Sequence, residues 1–581
     1  MHLGVDLSVA EGSPVFAPLA GVVHAVESAP DPYDYGTVVV LRHTAPAGAA
    51  GDDPVDFHTL WGHVAADALD RLVPGQALAA GEQFATVGAP PDNGDWWPHI
   101  HLQLIADMLD VDCNVDGACL PHRWDAWRGL CPDPNLLLGI PPASLPEPAP
   151  TVADLRSRRA RRIGGNLSVS YGADALHVVR GRMQYLIDGA GRHFIDAYNN
   201  VAHVGHGHPR VVAAVARQLS LLNTNTRYLQ TQLLDYADAL AARFPPGLDV
   251  VFLTASGSEA NELALRLARA ATGRRDTVVL AGAYHGHTTS LIDVSPYKHD
   301  GPGGTGRPGW VHTAPLPDTY RGAHRDPQTA GAAYAADLGR VLDAMQRPPA
   351  AFLAETCPSV GGQLMLPTGY LADVYARVHA AGGLCIADEV QTGFGRLGSA
   401  FWAFEEHGVV PDVVVLGKPI ANGYPVGAVV TTRAIADAFD NGMEFFSTFG
   451  GSTAACAAAH ETLRVTLDEG LMDHAALVGE QLLAGLREIQ RGCPLMGDVR
   501  GRGLFLGVEM VDDPVSRRPS AALADSIVRT LRDHQVLAGT DGPDHNVVKL
   551  RGPMPLSARD VDLLLTAFAR GARNLGDSGH V

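Results

Sequence analysis

The spacing of hydrophobic positions changes character along the chain. Up to about residue 138 they occur as short β-branched runs such as Thr37-Val38-Val39-Val40-Leu41, cut by glycine, proline and other turn residues. This pattern predicts an all-β unit. From Pro141 to Pro150 the prolines remove backbone donors and fix φ, so neither helix nor ladder continues and an extended spacer is expected. From about 164 short apolar runs alternate with helical spacing. Asp249 to Leu253 reads as a strand, and Ala260, Leu263, Ala264, Leu267 and Ala268 then share one helical face. Gly383 to Ala387 and Asp412 to Leu416 are further apolar strands that run into polar residues. Buried parallel strands with helical crossovers give a doubly wound α/β unit, whose ligand crevice lies at the strands' carboxyl ends. The expected organisation is a small β domain over 1–138, a Pro/Arg-rich linker over 139–163 and a large domain over 164–578.

Composition narrows the classes. With 581 residues, 46% of them apolar and 18% charged, the chain can bury more than one core. Its 44 basic against 63 acidic residues give a net charge of -19, which argues against a general nucleic-acid or anionic-membrane binder. Five arginines between Arg156 and Arg162 read first as a solvated face and second as an anion site. Seven cysteines without a Cys-x-x-Cys pair favour reduced thiols. No charged-then-apolar leader and no bilayer-length apolar run is present, so a cytoplasmic protein is expected. Because the first motif starts at His2, the chain is expected to begin inside a domain of a longer protein.

Four segments of the large unit carry candidate chemistry. Ser256-Gly257-Ser258-Glu259-Ala260-Asn261 stands between strand and helix, where first-turn N–H groups favour a phosphate. A plain helix cap fits that turn equally. Asp388, in Ala387-Asp388-Glu389-Val390-Gln391, follows an apolar strand and could hold a proton on the ring nitrogen of pyridoxal phosphate (PLP), or simply cap a turn. Lys418, in Leu416-Gly417-Lys418-Pro419, follows another strand and could form a Schiff base, or be one more surface charge. Tyr284, in Ala283-Tyr284-His285-Gly286-His287, offers a stacking face, or a packed core ring.

Taken in order, these segments make residues 164 to about 575 resemble a class III aminotransferase of fold type I. The resemblance implies Lys418 as the covalent lysine, Asp388 for the pyridine nitrogen and Tyr284 for ring stacking. It implies Gly257 and Ser258 for the cofactor phosphate, Gln391 near the ring hydroxyl and Glu355 beside the cofactor. Thr448 matches the threonine that reaches the neighbouring subunit's cofactor phosphate, implying a homodimer or dimer of dimers.

Membership leaves the reaction open between amino transfer and elimination. Many family transaminases carry Glu-Pro-x-x-Gly-Glu where this chain has Glu355-Thr356-Cys357-Pro358-Ser359-Val360. Their second glutamate pairs with a substrate-binding arginine and is Val360 here. Residues 200–209, 223–229, 293–298, 314–322 and 540–543 resemble instead the ethanolamine-phosphate and phosphohydroxylysine phospho-lyase branch. The implied substrate is a small phosphorylated amine, cleaved to aldehyde, ammonia and phosphate, with an ω-amino transaminase as the alternative. A second phosphate needs further cations. Arg227, Tyr297, Lys298, Lys549, Arg551 and the histidines at 203, 206 and 208 are candidates, and Arg500 matches a family carboxylate-binding arginine.

The first domain carries a metal-ligand pattern. His2 and Asp6 lie four residues apart, and His99 and His101 are spaced to share a strand face. With an open water position such a set suits catalytic zinc. Together with Trp61-Gly62-His63 and several glycine–proline turns, residues 1 to about 108 resemble the lysostaphin-like metallopeptidases. That resemblance implies His2, Asp6 and His101 as zinc ligands, with His63 and His99 serving catalysis. Peptidase activity and a nonhydrolytic peptidoglycan-binding role both remain open for this domain.

Overall fold

The computed structural model describes residues 2–29, 34–45, 54–109, 111–113, 115–119, 123–140 and 150–577. Positions 141–149 of the expected spacer and 578 at the end of the expected large domain lie outside the described residues. The chain divides into two compact units, Met1–Arg162 with Gly189–Gly191, and Ile163–Asp188 with Arg192–Val581.

The first unit is built on a six-stranded antiparallel sheet. Its order is Val5–Leu7, Ile100–Ile105, Val55–Val64, Gly36–Ala45, Gly21–Ala29 and Ala77–Leu78. The continuous apolar run seen in the sequence is explained by burial on both faces. Val39 and Leu41 pack with Trp61, Phe84 and Leu102, while Val38 and Val40 pack with Tyr35, Leu60 and Ile105. Asp6 lies opposite His101, which in turn lies opposite Gly62, so segments far apart in this unit's sequence meet on adjacent strands. The arginines from Arg156 onward fall on the helix Val152–Arg162, which has no buried residue. That agrees with a solvated face.

The second unit centres on a seven-stranded sheet in the order Val250–Thr254, Gly427–Thr431, Val413–Leu416, Leu384–Asp388, Ala351–Glu355, Thr277–Leu280 and Val311–Ala314. Only Gly427–Thr431 runs antiparallel to its neighbours, so the sheet is mixed and mostly parallel. Helices cover both faces. Ala260, Leu263, Ala264 and Leu267 pack on Leu353, Ile386 and Val415, whereas Tyr334, Leu338, Leu371 and Val374 pack on Val278, Phe352 and Cys385. Two smaller sheets flank it in sequence, one containing Tyr185–Asp188 and His193–Asp196, the other Met496–Arg502, Phe505–Asp513, Gly539–Asp541 and Val547–Leu550. In the central sheet Glu355 pairs with Asp388, and Asp388 with Val415, which lines up three carboxyl ends. Among the described residues no helix is long and apolar enough to cross a membrane.

Candidate active site and metal centre

Lys418 follows the strand Val413–Leu416 and opens a short 3-10 turn that ends at Ala421. Its φ is 31°, left-handed for a non-glycine residue, a strain of about 1–3 kcal/mol that a functional site can hold. Burial, then Arg551, pushes its amine down to about 8 against the pull of Asp388, Glu355 and Asp541. An amine so placed is uncharged more often than a surface lysine, as a base or nucleophile requires.

Asp388 is buried and thoroughly held. Its Oδ2 accepts from Asn261 Nδ2 at 2.9 Å and from His285 Nδ1 at 2.8 Å, and its Oδ1 accepts from the Val390 N–H at 3.1 Å. Neighbouring Glu355 is different: burial, then Asp388, holds its carboxyl well above the ordinary range. It accepts from the Ser359 N–H at 3.3 Å through Oε1, while Oε2 is buried with no partner. The two acids thus differ in surroundings: donors ring Asp388, while Glu355 Oε2 has none.

Glycines open a trough between these groups. A Cβ on Gly417 would come 3.2 Å from Gly257 Cα and 3.3 Å from Val390 Cγ1, and one on Gly257 would come 3.2 Å from Val390. Gly257 starts the helix Gly257–Thr272, capped by Ser256, whose hydroxyl accepts from the Glu259 N–H at 3.2 Å. The first-turn N–H groups have no acceptor within the helix and suit an anion. Gly286 has φ 142°, and a Cβ there would meet Ser258 Oγ at 2.7 Å. Buried polar atoms without partners surround the trough: Glu355 Oε2, Asn261 Oδ1, His285 Nε2 and Arg551 Nε. A flat, phosphorylated ring meets these demands, and PLP is one.

The model of the class-III aminotransferase family matches residues 168–571. The chain belongs to the class III aminotransferase family. It is 45% identical over 419 residues to an alanine–glyoxylate aminotransferase 2-like protein of Drosophila melanogaster, covering 71% of this chain and 85% of that one. It is 41% identical over 453 residues to ethanolamine-phosphate phospho-lyase homolog 1 of Caenorhabditis elegans, covering 74% and 97%. Among solved structures it is similar to a phospholyase from Arthrobacter in complex with phosphoethanolamine, at TM-score 0.69 and 38% identity over 73% of this chain and 100% of that one. The architecture is therefore that of fold type I, and this class III chain is a PLP-dependent enzyme.

Of the residues that the resemblance to class III aminotransferases assigned, Lys418, Asp388, Glu355 and Gly257 come together around the trough, Ser258 lies against Gly286, and Gln391 meets Arg551. Gln391 Oε1 accepts from Asn200 Nδ2 at 2.8 Å and from Arg551 Nη1. Tyr297 stands 6.4 Å from the Tyr284 ring, and exposed Lys298 lies over both rings. Thr448 and Arg227 are exposed instead. Arg227 pairs with Glu444 at 3.4 Å and covers Phe446.

The carboxylate-binding role drawn from the resemblance does not fit the surroundings of Arg500. Its Nη1 is 2.8 Å from Asp498 and 2.6 Å from Glu509, and both Nε and Nη2 donate to the Gly362 carbonyl. Glu509 thus neutralises a guanidinium that Val360 cannot. Sequence reasoning missed Glu509, and also Asn261 and His285, whose polar groups carry no motif beyond the segments around Gly257 and Tyr284. The Lys549–Asp541 ion pair, 3.1 Å long, was likewise not anticipated.

In the first unit His2, Asp6 and His101 place one ligand atom each within 4.8 Å of the others. The donor set fits a cation. His2 Nδ1 donates to the Gly4 carbonyl at 2.8 Å, and His101 Nε2 donates to Gln103 Oε1 at 3.2 Å, tautomers assigned from this network. Lone pairs on His2 Nε2 and His101 Nδ1 then face Asp6 Oδ1 at 3.3 and 3.0 Å. With those tautomers three acceptors converge, a set that zinc would satisfy, and Gln103 orients the imidazole. A Cβ on Gly4 would fall 2.5 Å from His101 Nε2, so glycine permits this approach. The His63 and His99 rings lie 4.2 Å apart, tilted by 42°, beside the cluster, and burial, then His99, pushes His63 down to about 3. The peptidase family M23 model matches residues 1–113.

Two outcomes are expected. Purified protein should carry about one zinc per chain, and His101→Ala none; full zinc content in that variant contradicts the assignment. For the cofactor-free enzyme, the buried Lys418 ammonium costs stability at neutral pH. Because the unfolded state holds its proton longer, stability should rise with pH from about 8, where the folded amine deprotonates, to about 10.4, the ordinary lysine value. Thermal unfolding of cofactor-free Lys418→Met should therefore exceed wild type at pH 7 by a margin that shrinks above pH 8. An advantage constant with pH refutes the buried-charge account.

Proposed function

We propose that the large unit is a PLP-dependent phospho-lyase acting on an O-phosphorylated amino alcohol or amino acid, of the ethanolamine-phosphate or phosphohydroxylysine type. The observation that carries this reading is the confinement of Arg500. Amino-group exchange has to seat the carboxylate of a keto acid, and in this chain the family arginine for that task is held by Asp498, Glu509 and the Gly362 carbonyl. The names of the phospho-lyase relative and of the Arthrobacter structure point the same way. The aminotransferase reading keeps the support of the Drosophila relative's name.

PLP, when bound, supplies an electron sink for a carbanion beside the substrate nitrogen. Asp388, fixed by Asn261 and His285, would hold a proton at the pyridine nitrogen. Lys418 Nζ, its amine pushed down to about 8, would take the proton from the carbon bearing the substrate amine. Gln391 would meet the ring hydroxyl, Gly257 and Ser258 the cofactor phosphate, and Tyr284 the ring face. Loss of phosphate from the adjacent carbon leaves an enamine that hydrolyses to aldehyde and ammonia. No keto acid is consumed.

A homodimer accompanies this reading. Leu221, Leu229, Met443 and Phe449 are 70%, 100%, 68% and 71% exposed, on the segments that also present Arg227 and Thr448. Such apolar exposure fits burial against a second copy, whose cofactor phosphate Thr448 would reach. For the first unit, the ligand geometry of His2, Asp6 and His101 favours a zinc peptidase, in which His63 and His99 would serve a water that the metal activates.

Offered phosphoethanolamine or phosphohydroxylysine, the holoenzyme should release phosphate and ammonia in equal amounts with or without 2-oxoglutarate. Glutamate formation that needs 2-oxoglutarate, without phosphate release, would establish amino transfer instead.

A further inference from the structure

We infer that the segment Val115–Cys119, just past residue 113 where the match to the M23 model ends, is a clamp that sets the two histidine ligands of the first unit, with Tyr35 as its positioning residue. The inference rests on the zinc reading of His2, Asp6 and His101 and adds what holds those ligands in place. A ligand that is still mobile loses side-chain and backbone freedom when metal binds, so affinity depends on how firmly it is held beforehand. His2 needs such support. It precedes the edge strand Val5–Leu7, and its side chain is 46% exposed. The clamp supplies a partner: His2 bridges to Ala118 in antiparallel register, and the Leu3 N–H donates to the Gly117 carbonyl at 2.9 Å. Leu3, beside His2, is buried in a cluster with Tyr35, Cys113, Val115 and Cys131 and anchors the backbone there.

The clamp reaches His101 through Tyr35. The buried Tyr35 hydroxyl lies 2.9 Å from the Val115 carbonyl and 3.3 Å from Gln103 Oε1, the atom that also accepts from His101 Nε2. Gln103 Nε2 donates back to the Asp116 carbonyl at 3.3 Å and to Cys131 Sγ at 3.2 Å, which fixes the way its amide faces. The Tyr35 ring itself stands 5.2 Å from the His101 ring. Glycines make room for this approach. A Cβ on Gly117 would fall 2.5 Å from the Tyr35 hydroxyl oxygen and 3.4 Å from His101 Cε1, and one on Gly62 would fall 2.5 Å from Tyr35 Cδ1. One short segment thus governs the backbone at His2 directly and the ring of His101 through two side chains.

The test uses the full chain, stripped of metal and titrated with zinc against a chelator of known affinity, with cobalt as a visible probe of ligand geometry. Tyr35→Phe removes one oxygen and keeps the ring, whereas Gly117→Ala sets a methyl group against Tyr35 and His101. Each should weaken zinc binding by about 10- to 100-fold, the usual cost of losing a group that orients a metal ligand, and should shift the cobalt absorbance. Because the added methyl meets the hydroxyl that phenylalanine lacks, the double variant should lose clearly less than the two single losses combined. Fully additive losses would mean two separate packing defects and would overturn the clamp. So would zinc affinities within about twofold of wild type in both single variants, or losses that only follow unfolding of the metal-free protein, seen by circular dichroism. If wild type itself binds no zinc, the reading of the metal site falls and the inference with it; if wild type binds zinc and the variants match it, the inference falls alone.

Discussion

Placing an amine in a protein interior costs free energy unless fixed charges oppose it, and Lys418 is placed so at a left-handed backbone position. What makes the arrangement tolerable is the row of acids at the ends of adjacent parallel strands. The register that aligns Glu355, Asp388 and Val415 is set by burial on both faces, since slipping a strand by one residue would turn its apolar side chains over. The site therefore depends on the sheet, and the sheet on packing far from the chemistry. Asn261 and His285 complete the work by directing donors at Asp388, while burial, then Asp388, pushes the Glu355 carboxyl up beside it.

Much of this was legible in the chain. Asp388, Lys418 and Gly257 announce themselves because each follows a short apolar run, and strand ends are where such sheets bind ligands. The same logic placed the strands themselves to within a residue or so. Other features were hidden for a physical reason: they depend on contacts between residues distant in sequence. Nothing near Arg500 says that Glu509 lies across a hairpin from it, and nothing near Gln391 predicts Arg551, 160 positions later. The antiparallel strand Gly427–Thr431 was equally silent, since its apolar pattern does not encode direction.

The first unit shows how little sequence separates a metal site from a cluster of histidines. His2 and His101 are a hundred residues apart in the chain, yet antiparallel pairing puts Asp6 directly opposite His101. Gly4 and Gln103 offer acceptors for the outer ring nitrogens, so that the inner ones are available to a metal beside Asp6. Gln103 carries no motif, and only its place two residues along the same strand gives it that role.

The central claim, that Lys418 is the residue to which the cofactor is joined, meets its most direct test in borohydride reduction of the holoenzyme followed by peptide mass mapping. A phosphopyridoxyl mass on the peptide bearing Lys418, and no label after Lys418→Ala, is the predicted result. Labelling of Lys549, or of no lysine in protein saturated with PLP, would contradict it.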